Sequence, residues 1–291
     1  MSKIEKALKK AKQFRDANKS IAVTNSKPDQ EQSDLKGLQP SILHQGGEIQ
    51  HKSSTREISL MDSGDILDNK ELSELNIIYS EMEDNKVANT YRDLRTKLIQ
   101  QSKGKNFIAM VTSCVAGKNS GMTSLNISTA FTFDESKTSL LIDCDLNNPA
   151  LDSYLKMETD KGLTDYLENE NIQIDTIMHK TGIKRLKMIP AGQYRETATE
   201  YFTSLRMRNL MGDLLCRYSD RYIFLDTAPV TESADTRILI ELCDFVILTV
   251  PYGTSTKSKI KEAVAAIGED KLLGIVFCDV PKFSLSSLFK S

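Results

Sequence analysis

The sequence predicts an α/β fold, a mostly parallel sheet covered by helices on both faces. From about residue 70, short apolar runs alternate with segments of helical period. The runs are continuously apolar, as strands buried on both sides must be. Two of the runs also end in aspartate, and ligands bind such sheets at the carboxyl ends of the strands.

The strand-like runs are 107–112, 139–143, 186–190, 222–226, 245–250 and 273–278. Helices are expected over 71–83, 86–101, 122–133, 162–169, 197–217, 233–242 and 256–268. The whole of 70–282 is read as one domain, with a tail at 283–291. Ahead of it, Ile4, Ala7, Leu8, Ala11 and Phe14 recur at helical spacing, so 1–17 is expected to form an amphipathic docking helix. Residues 18–69 are polar, hold Pro28, Pro40 and Gly46–Gly47, and show no period. They read as a flexible linker.

Composition narrows the function classes. A net charge of -2 gives no field that favours nucleic acid, so no nucleic-acid partner is expected. The five cysteines form no C-x-x-C pair and have no zinc-ligand spacing with the three histidines. They read as reduced thiols of a cytoplasmic protein. The charged opening is not a signal peptide, and no apolar run nears the ~20 residues needed to span a bilayer. Membrane association is therefore expected to be peripheral.

Three strand ends carry the chemistry. The first run leads through MVTSCVAGKNSGMTSLN into a helix, and small residues at a helix N-terminus suit a phosphate. A working P-loop reads G-x-x-x-x-G-K-[ST], a string that this segment lacks. The second run ends LLIDCDLNNP. Asp143 and Asp145 there suit Mg²⁺-bound water or an attacking hydroxyl, or else cap the turn signalled by Asn147, Asn148 and Pro149. A later run, YIFLDTAPV, places Asp226 after apolar residues, where Mg²⁺ would sit.

These segments, in this order, resemble the bacterial tyrosine kinases of exopolysaccharide and capsule synthesis, within the MinD/ParA-type P-loop ATPases. VANTYRDLRTKL, MVTS, LLIDCDLNNP, GLTDYL, LKMIPAG and YIFLDTAPV are collinear with that family's motifs. MSKIEKALKKA and the linker resemble the stand-alone kinase-like proteins of exosortase-linked polysaccharide clusters. The resemblance implies a P-loop NTPase-like fold, ATP and Mg²⁺ as cofactors, and a membrane-embedded co-polymerase (chain-length determinant) as partner. It places the chain in the cytoplasm, peripheral to the inner membrane through that partner. It also implies a homo-oligomer. The family's oligomer motif appears as Asn89, Arg92 and Arg95, without its acid.

Laid without gaps, the family's G-E-G-K-[ST]-[ST] falls on Gly117, Lys118, Asn119, Ser120, Gly121 and Met122. Ser120 stands at the lysine position, and Gly121 at that of the Mg²⁺-binding hydroxyl. Lys118 reads as a displaced phosphate ligand or as a solvated loop lysine, and Thr123 or Ser124 as a substitute hydroxyl. The nucleotide-binding candidates are thus Gly117, Lys118, Asn119, Ser120, Gly121 and Thr123. Asp143 and Asp226 are the Mg²⁺ candidates, and Asp145 is the catalytic candidate. The last tyrosine is Tyr252, so autophosphorylation on the C-terminal tyrosine cluster that the family carries is not expected.

Three functions are expected from this. The first is a kinase-like regulator or scaffold of exopolysaccharide production with weak or no phosphoryl transfer. The second is an active tyrosine kinase or ATPase with a rearranged loop. The third is a positioning ATPase of the MinD/ParA sort.

Overall fold

A computed structural model describes residues 65–82, 86–117, 120–195, 198–217 and 220–280. The expected helix 1–17, nearly all of the linker and the tail 283–291 lie outside the described residues.

Seven strands form one sheet among the described residues. They are β1 Ile108–Ser113, β2 Thr138–Asp143, β3 His179–Lys180, β4 Leu186–Ile189, β5 Arg221–Asp226, β6 Phe245–Pro251 and β7 Leu272–Cys278. Their order is β3-β4-β2-β5-β1-β6-β7. Every pairing is parallel except that of the two-residue β3 with β4.

The helices are α1 Asn69–Glu74, α2 Lys86–Gln101, α3 Ser120–Phe131, α4 Leu151–Tyr154, α5 Leu163–Glu168, α6 Ile174–Ile177, α7 Thr199–Thr203, α8 Leu205–Arg217, α9 Ala234–Ile240 and α10 Lys257–Ile267. None is long and apolar enough to cross a membrane.

The side-chain period of two divides the sheet between two cores. Ile108, Met110, Leu140, Ile142, Ile223, Leu225, Val246 and Leu248 face one, which α5 to α10 cover. Ala109, Val111, Leu141, Tyr222, Phe224 and Ile247 face the other, under α1 to α4. This two-sided burial explains why the strands read as continuous apolar runs.

Two expected helices are corrected. The helix expected over 71–83 stops at Glu74. Asn76 takes a left-handed φ of 58°, and Ile77 and Ile78 turn inward as buried residues. The side chain of the buried Asn126 accepts the Ile78 N–H at 2.8 Å and donates to the carbonyls of Asn76 and Met122. The helix expected over 197–217 is broken at Ser204, whose ψ of 149° is extended. The Ser204 hydroxyl accepts the N–H of Met207 and so caps α8.

Candidate functional site

The strand order brings β2, β5 and β1 side by side, so their carboxyl ends share one crevice. Asp143 and Asp226 are register partners at the tips of β2 and β5. They are 1% and 7% exposed. The loop after β1 and the start of α3 lie beside them.

Each acid is already held by donors. Asp143 accepts the N–H of Asp145 at 3.1 Å, and those of Ala150 and Leu151 at 3.2 Å each. It thereby anchors the start of α4. Asp226 accepts the hydroxyl of Ser124 on α3. Asp145, half-buried, accepts the N–H of Asn148 at 3.1 Å within the turn that Asn147, Asn148 and Pro149 signalled.

Burial dominates the electrostatics here. It raises the Asp143 carboxyl to about 7, against the opposing pull of its N–H donors. Asp226 is pushed well above the carboxylate range by burial, then by the neighbouring Asp143 charge, while Ser124 opposes the shift. Burial also raises Asp145. Among the described residues, no cation counts among the groups that shift this pair.

Gly121, in the first turn of α3, packs into the same corner. A β-carbon there would meet Leu151 Cδ2 and Tyr154 Cε2 at 2.9 Å each and Asp226 Oδ2 at 3.3 Å. Carbon atoms in ordinary contact stand about 3.5–4.0 Å apart. The side-chain space at position 121 is thus filled by α4, within reach of Asp226. Burial, followed by the charges of Asp226 and Asp143, raises the Tyr154 phenol. Ser124, one helical turn on, donates its hydroxyl to Asp226.

Thr123 is buried and hydrogen-bonds the Tyr91 phenol of α2. A β-carbon on Gly117 would stand 3.2 Å from Pro251 Cγ. Ala116 offers its N–H to the Glu232 carboxylate at 3.4 Å, so an acid faces one of the loop's donors. Lys118 and Asn119 lie outside the described residues. Ser120 opens α3. Leu151 and Tyr154 escaped the sequence reading because α4 is a single turn without a periodic signal.

The resemblance implies ATP and Mg²⁺ as cofactors. The described residues do not fit Mg²⁺ held through residue 121. That position has no side chain, and carbon atoms fill the space for one.

No family model matches the chain. Over 206 residues the chain is 31% identical to the tyrosine-protein kinase CpsD of Streptococcus pneumoniae, covering 70% of this chain and 89% of that protein. Over 190 residues it is 30% identical to the tyrosine-protein kinase YwqD of Bacillus subtilis (strain 168), covering 64% and 78% respectively. Among solved structures, the chimerical protein CapA2B2 superposes with a TM-score of 0.63 at 21% identity, covering 72% of this chain and 98% of that one. The kinase domain of the Escherichia coli tyrosine kinase ETK gives 0.63 at 19% identity, covering 70% and 80%. At such identity these two speak for the fold alone.

The buried acids generate a pH prediction. A carboxyl whose folded pKa lies above its unfolded value stabilises the fold fully at low pH. That contribution is lost as pH climbs from the ordinary carboxylate range through about 7, the Asp143 value. Stability in urea should therefore fall from pH 5 to pH 8. Asp226→Asn should flatten the curve and be more stable than wild type at pH 8 by about 1–3 kcal/mol. A wild type that gains stability across this window, with an Asn variant weaker at pH 8, would contradict the paired-acid geometry.

Gly121→Ser tests the filled space. Overpacking against Leu151 and Tyr154 should outweigh the roughly 0.5 kcal/mol that a helix gains on losing glycine, for a net loss of about 1–2 kcal/mol. Equal or greater stability in urea would show that the space is open.

Proposed function

The chain belongs to the bacterial tyrosine-protein kinase family, and from that premise we propose that it is a kinase-like regulator or scaffold of exopolysaccharide production with weak or no phosphoryl transfer. The observation that carries this reading is the packing of Leu151 and Tyr154 into the side-chain space of Gly121. Phosphoryl transfer depends on positioning and charge neutralisation. In this chain the lysine position holds Ser120 and the hydroxyl position holds Gly121. Asp226 is taken by Ser124. The catalytic role proposed for Asp145 competes with its part in the turn to Asn148.

A second reading has its own support. Asp143, Asp145 and Asp226 are all present at the strand tips, so an active kinase or ATPase with a rearranged loop is the alternative. In it Lys118 serves as a phosphate ligand, and Asp143 and Asp226 face the metal. Single-turnover transfer from radiolabelled ATP separates the two readings. The favoured one expects no released phosphate and no labelled protein from either wild type or Lys118→Ala. Turnover by wild type that Lys118→Ala abolishes would establish the second.

The proposed partner is a membrane-embedded polysaccharide co-polymerase, reached through the docking helix 1–17, with the folded domain spanning 70–282. This would hold the chain at the inner membrane without a span of its own. Deleting residues 1–17 is expected to leave the thermal midpoint of the domain unchanged. It should weaken co-purification with the co-polymerase at least about tenfold. Undiminished co-purification would remove the helix from the proposal.

A further inference from the structure

The segment that leaves β5 is fastened along the carboxyl end of β1. The Thr112 hydroxyl donates to the Ala228 carbonyl at 2.8 Å. The Val230 N–H donates to the Ser113 carbonyl at 3.1 Å, and the Thr231 hydroxyl to that of Cys114 at 2.8 Å. Val230 is fully buried, and its own carbonyl accepts Arg237 Nε at 3.2 Å. The N–H groups of Glu232 and Ser233 both close a turn on the Pro229 carbonyl. Thr112, Ser113 and Cys114, in succession, thus fix the backbone that carries Glu232.

Glu232 is exposed, yet its carboxylate reaches back to the loop after β1 and accepts the Ala116 N–H at 3.4 Å. It forms no salt bridge among the described residues. A bond of that length is weak, so its main consequence is electrostatic: a carboxylate is held beside a backbone donor. Backbone N–H groups between a strand and a helix are the donors that an anion would use there. The acid of this chain stands where the charge of that anion would come.

We propose that Glu232 is an internal anion that competes with phosphate for the loop after β1. The inference rests on the reading given under the proposed function, in which this loop is the altered phosphate loop of the family. It adds a cause for weak or absent transfer that is separate from the filled space at Gly121. Glu232 acts by repulsion and by occupying the Ala116 donor, and neither effect needs a metal.

Tripolyphosphate, titrated by calorimetry into the full chain in EDTA, tests this without involving the metal side of the crevice. Glu232→Gln keeps the acceptor and removes the charge, and Glu232→Ala removes both. Neither should move the urea midpoint, because the side chain is exposed. Glu232→Gln should bind at least about tenfold more tightly than wild type, and Glu232→Ala at least as tightly as Glu232→Gln. Glu135→Gln removes an exposed acid at the opposite end of the sheet, ahead of β2, and should bind as wild type does. Equal affinities for wild type and Glu232→Gln would overturn the inference. So would an equal gain in Glu135→Gln, because net charge alone would then be the cause. Tripolyphosphate that binds no variant at millimolar concentration would overturn it too, since something other than Glu232 would then exclude the anion. The two proposals fail separately. Transfer by wild type from radiolabelled ATP removes the scaffold reading, whereas the tripolyphosphate comparison alone removes the role of Glu232.

Discussion

Two carboxyl groups buried side by side cannot both carry charge without a counter-ion or a proton between them. Asp143 and Asp226 stand in that relation at the tips of neighbouring parallel strands. The crevice is organised around this constraint. Asp143 gathers three backbone N–H groups and in doing so fixes where α4 begins. Asp226 takes the Ser124 hydroxyl and so fixes the rotation of α3. Both acids still sit above their ordinary range, because donors offset only part of the cost of burial.

Leu151 and Tyr154 approach Gly121 so closely that a β-carbon there would require their side-chain ends to shift. The corner beside Asp226 is lined by a buried Leu151 and a half-buried Tyr154. Tyr154 also lines a groove of about 720 Å³ between α2, α3, α4 and β7, so the acid pair and that groove share a structural element. Altering Tyr154 would therefore disturb both, which makes it a poor probe of either alone.

Much of this was legible in the sequence. The parallel sheet follows from apolar runs that both cores bury, and the acid-tipped strands stand where the runs end. Three of the shortest elements were not legible. β3, α4 and α6 are too short to carry a period. The break at Asn76 depends on a left-handed asparagine and that at Ser204 on a local cap, neither visible to an apolar pattern. Collinear reading puts Gly121 at the hydroxyl position, and in the structure Gly121 lies beside Asp226. Of the two hydroxyls that the sequence offers, Ser124 is the one that reaches Asp226, while Thr123 meets Tyr91.

On the proposed reading, the corner between Gly121 and Asp226 does not accept a metal nucleotide. The decisive measurement is isothermal calorimetry of the full chain with ATP and ADP, each with and without Mg²⁺. No Mg²⁺-dependent heat is expected up to millimolar nucleotide. Micromolar binding that requires Mg²⁺ would contradict it, and would mean that the loop around Lys118 grips phosphate by another geometry.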